Sequence, residues 1–142
     1  MTKNDKEKYD FSCCVIKYGR KSINNLIYQK DSLKDNNNVI VPLCWNHRHF
    51  DSSQVLGHAQ LKNRDDGLYA YGYLLNNENG DYARQLIEGE DIWISPYVTH
   101  VVYDNERNRK YIVHGLIREV SLVVERVDPE DDYIPVLREG EK

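Results

Sequence analysis

Only one stretch of this chain, Asp81–Glu88 (DYARQLIE), carries the apolar spacing of a helix, and almost everything else apolar falls in short strand-like runs. In the helical stretch Ala83, Leu86 and Ile87 share a face, Asp81 suits the N-cap and Gly89 suits the stop. Elsewhere β-branched and aromatic residues dominate, with 11 tyrosines, and such residues fit a pleated surface better than a helix. Phe11–Tyr18 reads as a first strand and Asn25–Gln29 as a short second one. Ser32–Asn38 is polar and Asn-rich, a loop or at most one helical turn. Val39–Trp45 is a nearly continuous apolar run, as in a strand covered on both faces; Pro42 lacks a ladder donor and predicts an edge position or a bulge there. Val55–Lys62 and Gly67–Leu75 flank an Asp-Gly turn and predict a hairpin. Asp91–Tyr103 and Tyr111–Glu125 predict two long strands joined by the polar turn at 104–108. The expected fold is mainly β (α+β): an antiparallel barrel or strongly bent sheet, with one or two helices packed outside.

A chain of 142 residues fits one domain, 1–142, with a polar N-terminal arm at 1–8 and an acidic tail at 128–142. The tail holds six acids and two bases, and so carries the whole formal net charge of −4. A balanced body with an acidic tail lacks the basic footprint of a nucleic-acid binder, so nucleic acid is not an expected partner. No apolar run approaches the ~18 residues of a membrane span, and the polar start MTKNDKEKYD is neither a signal nor a transit peptide. A membrane is therefore not an expected partner either, and the expected location is the cytoplasm. Three cysteines, two of them adjacent (Cys13 and Cys14), fit buried reduced thiols better than disulfides.

Three segments place an isolated reactive group among apolar neighbours. They are Trp45-Asn46-His47-Arg48-His49, Ile92-Trp93-Ile94-Ser95-Pro96-Tyr97 and Gly115–Val124, the last with Glu119 inside an apolar strand. A serine hydroxyl needs a base to take its proton during attack, and a histidine base needs a third group to fix its tautomer. His47, Ser95 and Glu119 supply those parts. Each also admits an ordinary reading: a hydrogen-bonded strand-end histidine, a small strand residue, and a carboxylate paired at the surface. Alternation puts Ile117, Glu119, Ser121 and Val123 on one face and Leu116, Arg118, Val120 and Leu122 on the other. A metal reading competes, because Cys44, His47 and His49 form C-x2-H-x-H and His58 could add a fourth ligand. It lacks the second paired-ligand knuckle of a zinc motif, and neither a metal nor another cofactor is expected.

In order, Val41-Pro42-Leu43-Cys44-Trp45-Asn46-His47, Val55-Leu56-Gly57-His58-Ala59, Asp65-Asp66-Gly67-Leu68-Tyr69-Ala70, Ile94-Ser95 and His114–Val123 resemble the prohead (capsid-maturation) proteases of tailed bacteriophages, a family related in fold to the herpesvirus assemblins. The resemblance runs from about Phe11 to about Pro129. It implies a serine endopeptidase in the host cytoplasm, inside the procapsid, that cuts either a scaffold protein or a scaffold-like arm of the major capsid protein, with the chain itself as a further candidate substrate. It implies His47 as general base, Ser95 as nucleophile and Glu119 as third member, with His49 as the fallback base. It admits a homodimer or higher oligomer. Pro96 has no N–H to offer an oxyanion, and the resemblance implies donors on the loop Glu125-Arg126-Val127 instead. The same fold without catalysis, as a capsid-assembly module, is the alternative function.

Overall fold

The structure is a computed structural model and describes residues 9–20, 26–48, 50–89, 92–106, 109–123, 134–135 and 137–138. Its strands are β1 Phe11–Lys17, β2 Leu26–Tyr28, β3 Ile40–Trp45, β4 Val55–Arg64, β5 Gly67–Leu74, β6 Trp93–Glu106, β7 Arg109–Val123, β8 Ile134–Pro135 and β9 Leu137–Arg138. One α-helix, α1 (Glu78–Glu88), and two single 3-10 turns, Lys34–Asn36 and Ser52–Gln54, complete the described elements. All nine strands join one sheet in the order β8-β6-β7-β3-β4-β5-β1-β9, with β2 pairing β7 beside that path. The sheet curls into a half-barrel, so the mainly-β expectation holds at that level. Its two ends, β8 and β9, are a single residue apart in sequence.

The β4–β5 hairpin forms where Asp65, Asp66 and Gly67 predict it, in register from Gly57↔Leu74 to Arg64↔Gly67. Gly57 has φ of +153°, and a Cβ there would run into the Tyr73 carbonyl, so only glycine lets these strands approach so closely. α1 begins one turn earlier than the sequence predicts. Asn77, not Asp81, is the N-cap, its side chain accepting from the Gly80 N–H, and Asp81 lies in the first turn instead. Gly89 ends the helix as expected. Ala83 and Ile87 are buried in the core, and the Arg84 guanidinium ties the helix to Asp10 (3.0 Å) and to the Leu74 carbonyl (3.1 Å).

The sheet is mixed, which corrects the antiparallel expectation. β3 and β2 both pair β7 in parallel. Pro42 is accommodated because β3 has only β4 beside it at that point; pairing with β7 begins at Leu43. Full coverage of β3 is confined to Leu43 and Cys44, while Ile40 is 61 % exposed. The C-terminal tail joins the sheet: Ile134–Pro135 pair Trp93–Ile94, and Leu137–Arg138 pair Phe11–Ser12.

One edge of β7 is shared by three partners. β2 pairs Lys110–Ile112 and β3 pairs Val120–Leu122. Between them the buried Asn36 side chain takes the place of a strand. Its amide donates to the Gly115 carbonyl (3.0 Å) and to Leu33 (3.0 Å), and its oxygen accepts the Ile117 N–H (2.9 Å). A buried backbone group left unpaired costs ~1–3 kcal/mol, and this one side chain satisfies two of them on β7. Asn36→Ala should therefore lower unfolding stability by ~2 kcal/mol or more, read from urea midpoints at neutral pH.

Candidate active site

Parallel pairing of β3 with β7 puts the C-terminal ends of both strands together, with Cys44 opposite Ser121 and Trp45 opposite Leu122. β6 runs antiparallel to β7, so its first residues arrive at the same end, with Ser95 opposite Ser121 and Tyr97 opposite Glu119. Leu43, Ile94, Val120 and Leu122 fill the core beneath. Cys44, Ser95, Glu119 and Ser121 share the other face. Ile117 does not share it, contrary to simple alternation, and packs in the core with Val120 and Leu122. The cause is a bulge: Glu119 and Ile117 face consecutive residues of β6, Tyr97 and Val98, leaving Arg118 as the extra residue.

The chain leaving β3 folds back over that face through a tight turn. Arg48 N–H donates to the Trp45 carbonyl (2.9 Å), and the two central residues, Asn46 and His47, have φ of 49° and 61°. Asn and His tolerate left-handed backbone better than most residues, which is the physical reason for Asn-His after the strand. The His47 N–H donates to Ser121 Oγ (2.6 Å), and the Trp45 ring lies tilted against Tyr82 of α1 with ring centroids 5.9 Å apart. Turn and ring are thus held from both sides.

The structure brings all three predicted site residues together. His47 Nδ1 lies 2.5 Å from Glu119 Oε2, and His47 Nε2 lies 3.0 Å from Ser95 Oγ. With Nδ1–H donating to the carboxylate, Nε2 presents its lone pair to the serine hydroxyl. Burial is graded along the trio. Glu119 is fully buried, Ser95 is 6 % exposed and the His47 side chain is 37 % exposed, so solvent reaches the group from the histidine side. Tyr97 lies at its margin, 6.5 Å from the His47 ring centre.

Two further residues complete the site. Ser121 Oγ donates to Glu119 Oε1 (2.9 Å), and Cys44 Sγ donates to the same oxygen (3.2 Å). Ser121 therefore joins the backbone of the turn to the acid that orients its ring. Burial pushes the Cys44 thiol up to about 11, Ser121 opposes that and Glu119 reinforces it, so the thiol stays protonated and serves as a donor. Burial alone would raise the Glu119 carboxyl. Its hydrogen bond to His47, the His47 charge and the donors Cys44 and Ser121 together outweigh that and hold it below its ordinary value of 4.5. Ser121 was legible only as the next residue on the face of Glu119, and Cys44 as a buried thiol or a candidate metal ligand, not as a partner of Glu119.

The described residues of the metal reading, Cys44, His47 and His58, form no group placed to hold a metal ion. Both ring nitrogens of His47 face Glu119 and Ser95, and His58 stacks on Tyr73 at 4.8 Å. His49 lies outside the described residues, and among those described no group of three His, Cys, Asp or Glu is placed to hold a metal ion. The expected oxyanion loop Glu125-Arg126-Val127 also lies outside the described residues. Comparison with known protein families, with curated proteins and with solved structures finds no match to this chain.

A carboxyl with a depressed folded value stabilises the fold fully above its unfolded value and loses that contribution as pH falls through the folded value. The stability gap between wild type and Glu119→Gln should therefore be widest above pH 4.5 and narrow in more acidic solution, read from urea midpoints against pH. Ser121→Ala removes a donor from the buried carboxylate and an acceptor from the turn, and should cost ~1–3 kcal/mol at neutral pH in the same measurement.

Proposed function

We propose that this chain is a serine endopeptidase with His47 as general base, Ser95 as nucleophile and Glu119 as the orienting acid. The observation that carries the reading is the single imidazole ring within hydrogen-bond distance of both a serine hydroxyl and a fully buried carboxylate. That is the arrangement acyl transfer needs, and it recurs on unrelated folds. His47 Nε2 takes the Ser95 proton as Oγ bonds to the peptide carbonyl carbon, and the carbonyl oxygen becomes an oxyanion. The imidazolium is stabilised by Glu119 and then gives its proton to the leaving amine as the C–N bond breaks. Water, deprotonated by the same nitrogen, hydrolyses the acyl-enzyme.

The resemblance of the Trp45-Asn46-His47 and Arg118–Val123 segments to prohead proteases supplies the biological reading. In it, the substrates are a scaffold protein or the scaffold-like arm of a major capsid protein, cut inside a procapsid, with the chain itself as a further target. Ser-His-Glu chemistry fits that reading with no cofactor. The capsid-assembly module without catalysis is favoured by one observation: Ser95 is nearly buried and is followed by Pro96, which has no amide to lend to an oxyanion.

A fluorophosphonate probe separates the two readings. Wild type should be labelled at Ser95, and Ser95→Ala and His47→Ala should lose labelling while remaining folded, as read by circular dichroism. Glu119→Gln should be labelled more slowly, by on the order of 10²–10⁴-fold, because the third member orients and does not itself transfer the proton. No labelling of folded, concentrated wild type would leave the assembly module standing.

A further inference from the structure

The inner side of β6 is paired with β7 along its length, but on its outer side the chain lays its own Ile134–Pro135 beside Trp93–Ile94, next to Ser95. The two prolines of this seam fix which backbone groups face each other. Pro96 lies within the ladder with β7, opposite Val120, and a proline is tolerated in a strand where its nitrogen points off the ladder. Its missing donor therefore falls on the outer side of β6. Strand alternation then turns the N–H and C=O of Ile94 outward too, toward Ile134. Pro135 faces Trp93, a position from which the added strand owes β6 no hydrogen bond. Two independent prolines are thus consistent with one register.

That register has a chemical consequence. Pairing is antiparallel, so any peptide lying as Ile134–Pro135 does, and continuing toward its own N-terminus, sets its next residue opposite Ser95. An extended peptide needs no particular side chain to bind in this way, because main-chain hydrogen bonds supply the affinity. Among the described residues the contact made by the chain itself spans two residues, Ile134–Pro135, and a peptide that pairs over more of β6 would gain further main-chain hydrogen bonds.

We propose that the outer edge of β6 at Trp93–Ile94 is a binding site for an extended peptide strand, that Ile134–Pro135 is its resident occupant, and that a peptide substrate enters by displacing it. The regulatory part of this proposal rests on the peptidase reading; the strand site does not. A chain whose own tail holds the place of the substrate is restrained until the tail is outcompeted at high local substrate concentration.

The site can be tested without catalysis. In full-length Ser95→Ala the Ile94 amide should exchange slowly with solvent, and adding Ile134→Pro, which deletes the N–H facing it, should speed that exchange by about 10-fold or more. The Ser121 amide on β7 should keep its protection. A peptide of residues 131–138 should bind the double variant saturably and restore Ile94 protection, and the same peptide carrying Ile134→Pro should not. Unchanged Ile94 exchange in the double variant, or a peptide that restores nothing, overturns the site. If Ile134→Pro unfolds the sheet, titration of the peptide onto Ser95→Ala alone decides: saturable binding that shifts the Ile94 resonance supports the site, and no shift at millimolar peptide overturns it. With Ser95 intact, Ile134→Pro should react faster than wild type with the fluorophosphonate. Equal or slower labelling overturns the displacement step, whereas failure to label either chain overturns the peptidase reading and leaves the strand site to the exchange result.

Discussion

A carboxylate with no solvent exposure organises this end of the molecule. Burying an unpaired charge is expensive enough that Glu119 must either be neutral or be surrounded by donors, and among the described residues its donors include His47, Ser121 and Cys44. Those donors come from the turn after β3, from β7 and from β3. The carboxylate therefore cannot be satisfied unless β3 and β7 are paired in the observed register and the chain turns back sharply after Trp45. Satisfying one charge fixes a strand pairing, a left-handed turn and the orientation of an imidazole ring together.

The parallel β3–β7 seam is the architectural counterpart. Had these strands paired antiparallel, the end of β3 would lie at the other end of β7 and His47 could not reach Glu119. The connection from β3 to β7 is long, carrying the β4–β5 hairpin, α1 and β6, as a parallel pairing requires. The same crossover delivers the first residues of β6, and with them Ser95, to the seam. Asn36 makes the arrangement possible from the side, because it fills the gap on the β7 edge between β2 and β3 that neither strand covers.

Much of this was legible along the chain. The strands at 11–17, 40–45 and 55–74 follow from β-branched and aromatic patterning and from the Asp-Gly turn, and the position of α1 follows from the spacing of Ala83 and Ile87. His47 and Glu119 were legible as reactive groups out of keeping with apolar surroundings. The helix start was misplaced by one turn because Asp81 and Asn77 are both good caps, and which residue caps depends on where the backbone enters. Ile117 was assigned to the wrong face because alternation assumes an unbroken ladder, and the bulge at Arg118 breaks it.

What the sequence by itself determined is local: a chain of short strands with one helix, and a hairpin at Asp65–Gly67. These depend on residues within a few positions of one another, so their physics is written in the neighbouring letters. Only the tertiary structure decided that β3 runs parallel to β7, that Asn36 stands in for a strand, that Ser121 and Cys44 serve Glu119, and that Ile134–Pro135 lies beside the serine strand. The strand pairing, the Asn36 bridge and the Cys44–Glu119 contact join groups 75 to 81 positions apart, and the meeting of Ile134 with Ile94 is long-range as well. No local pattern encodes such contacts, because they exist only once burial forces distant polar groups to find one another.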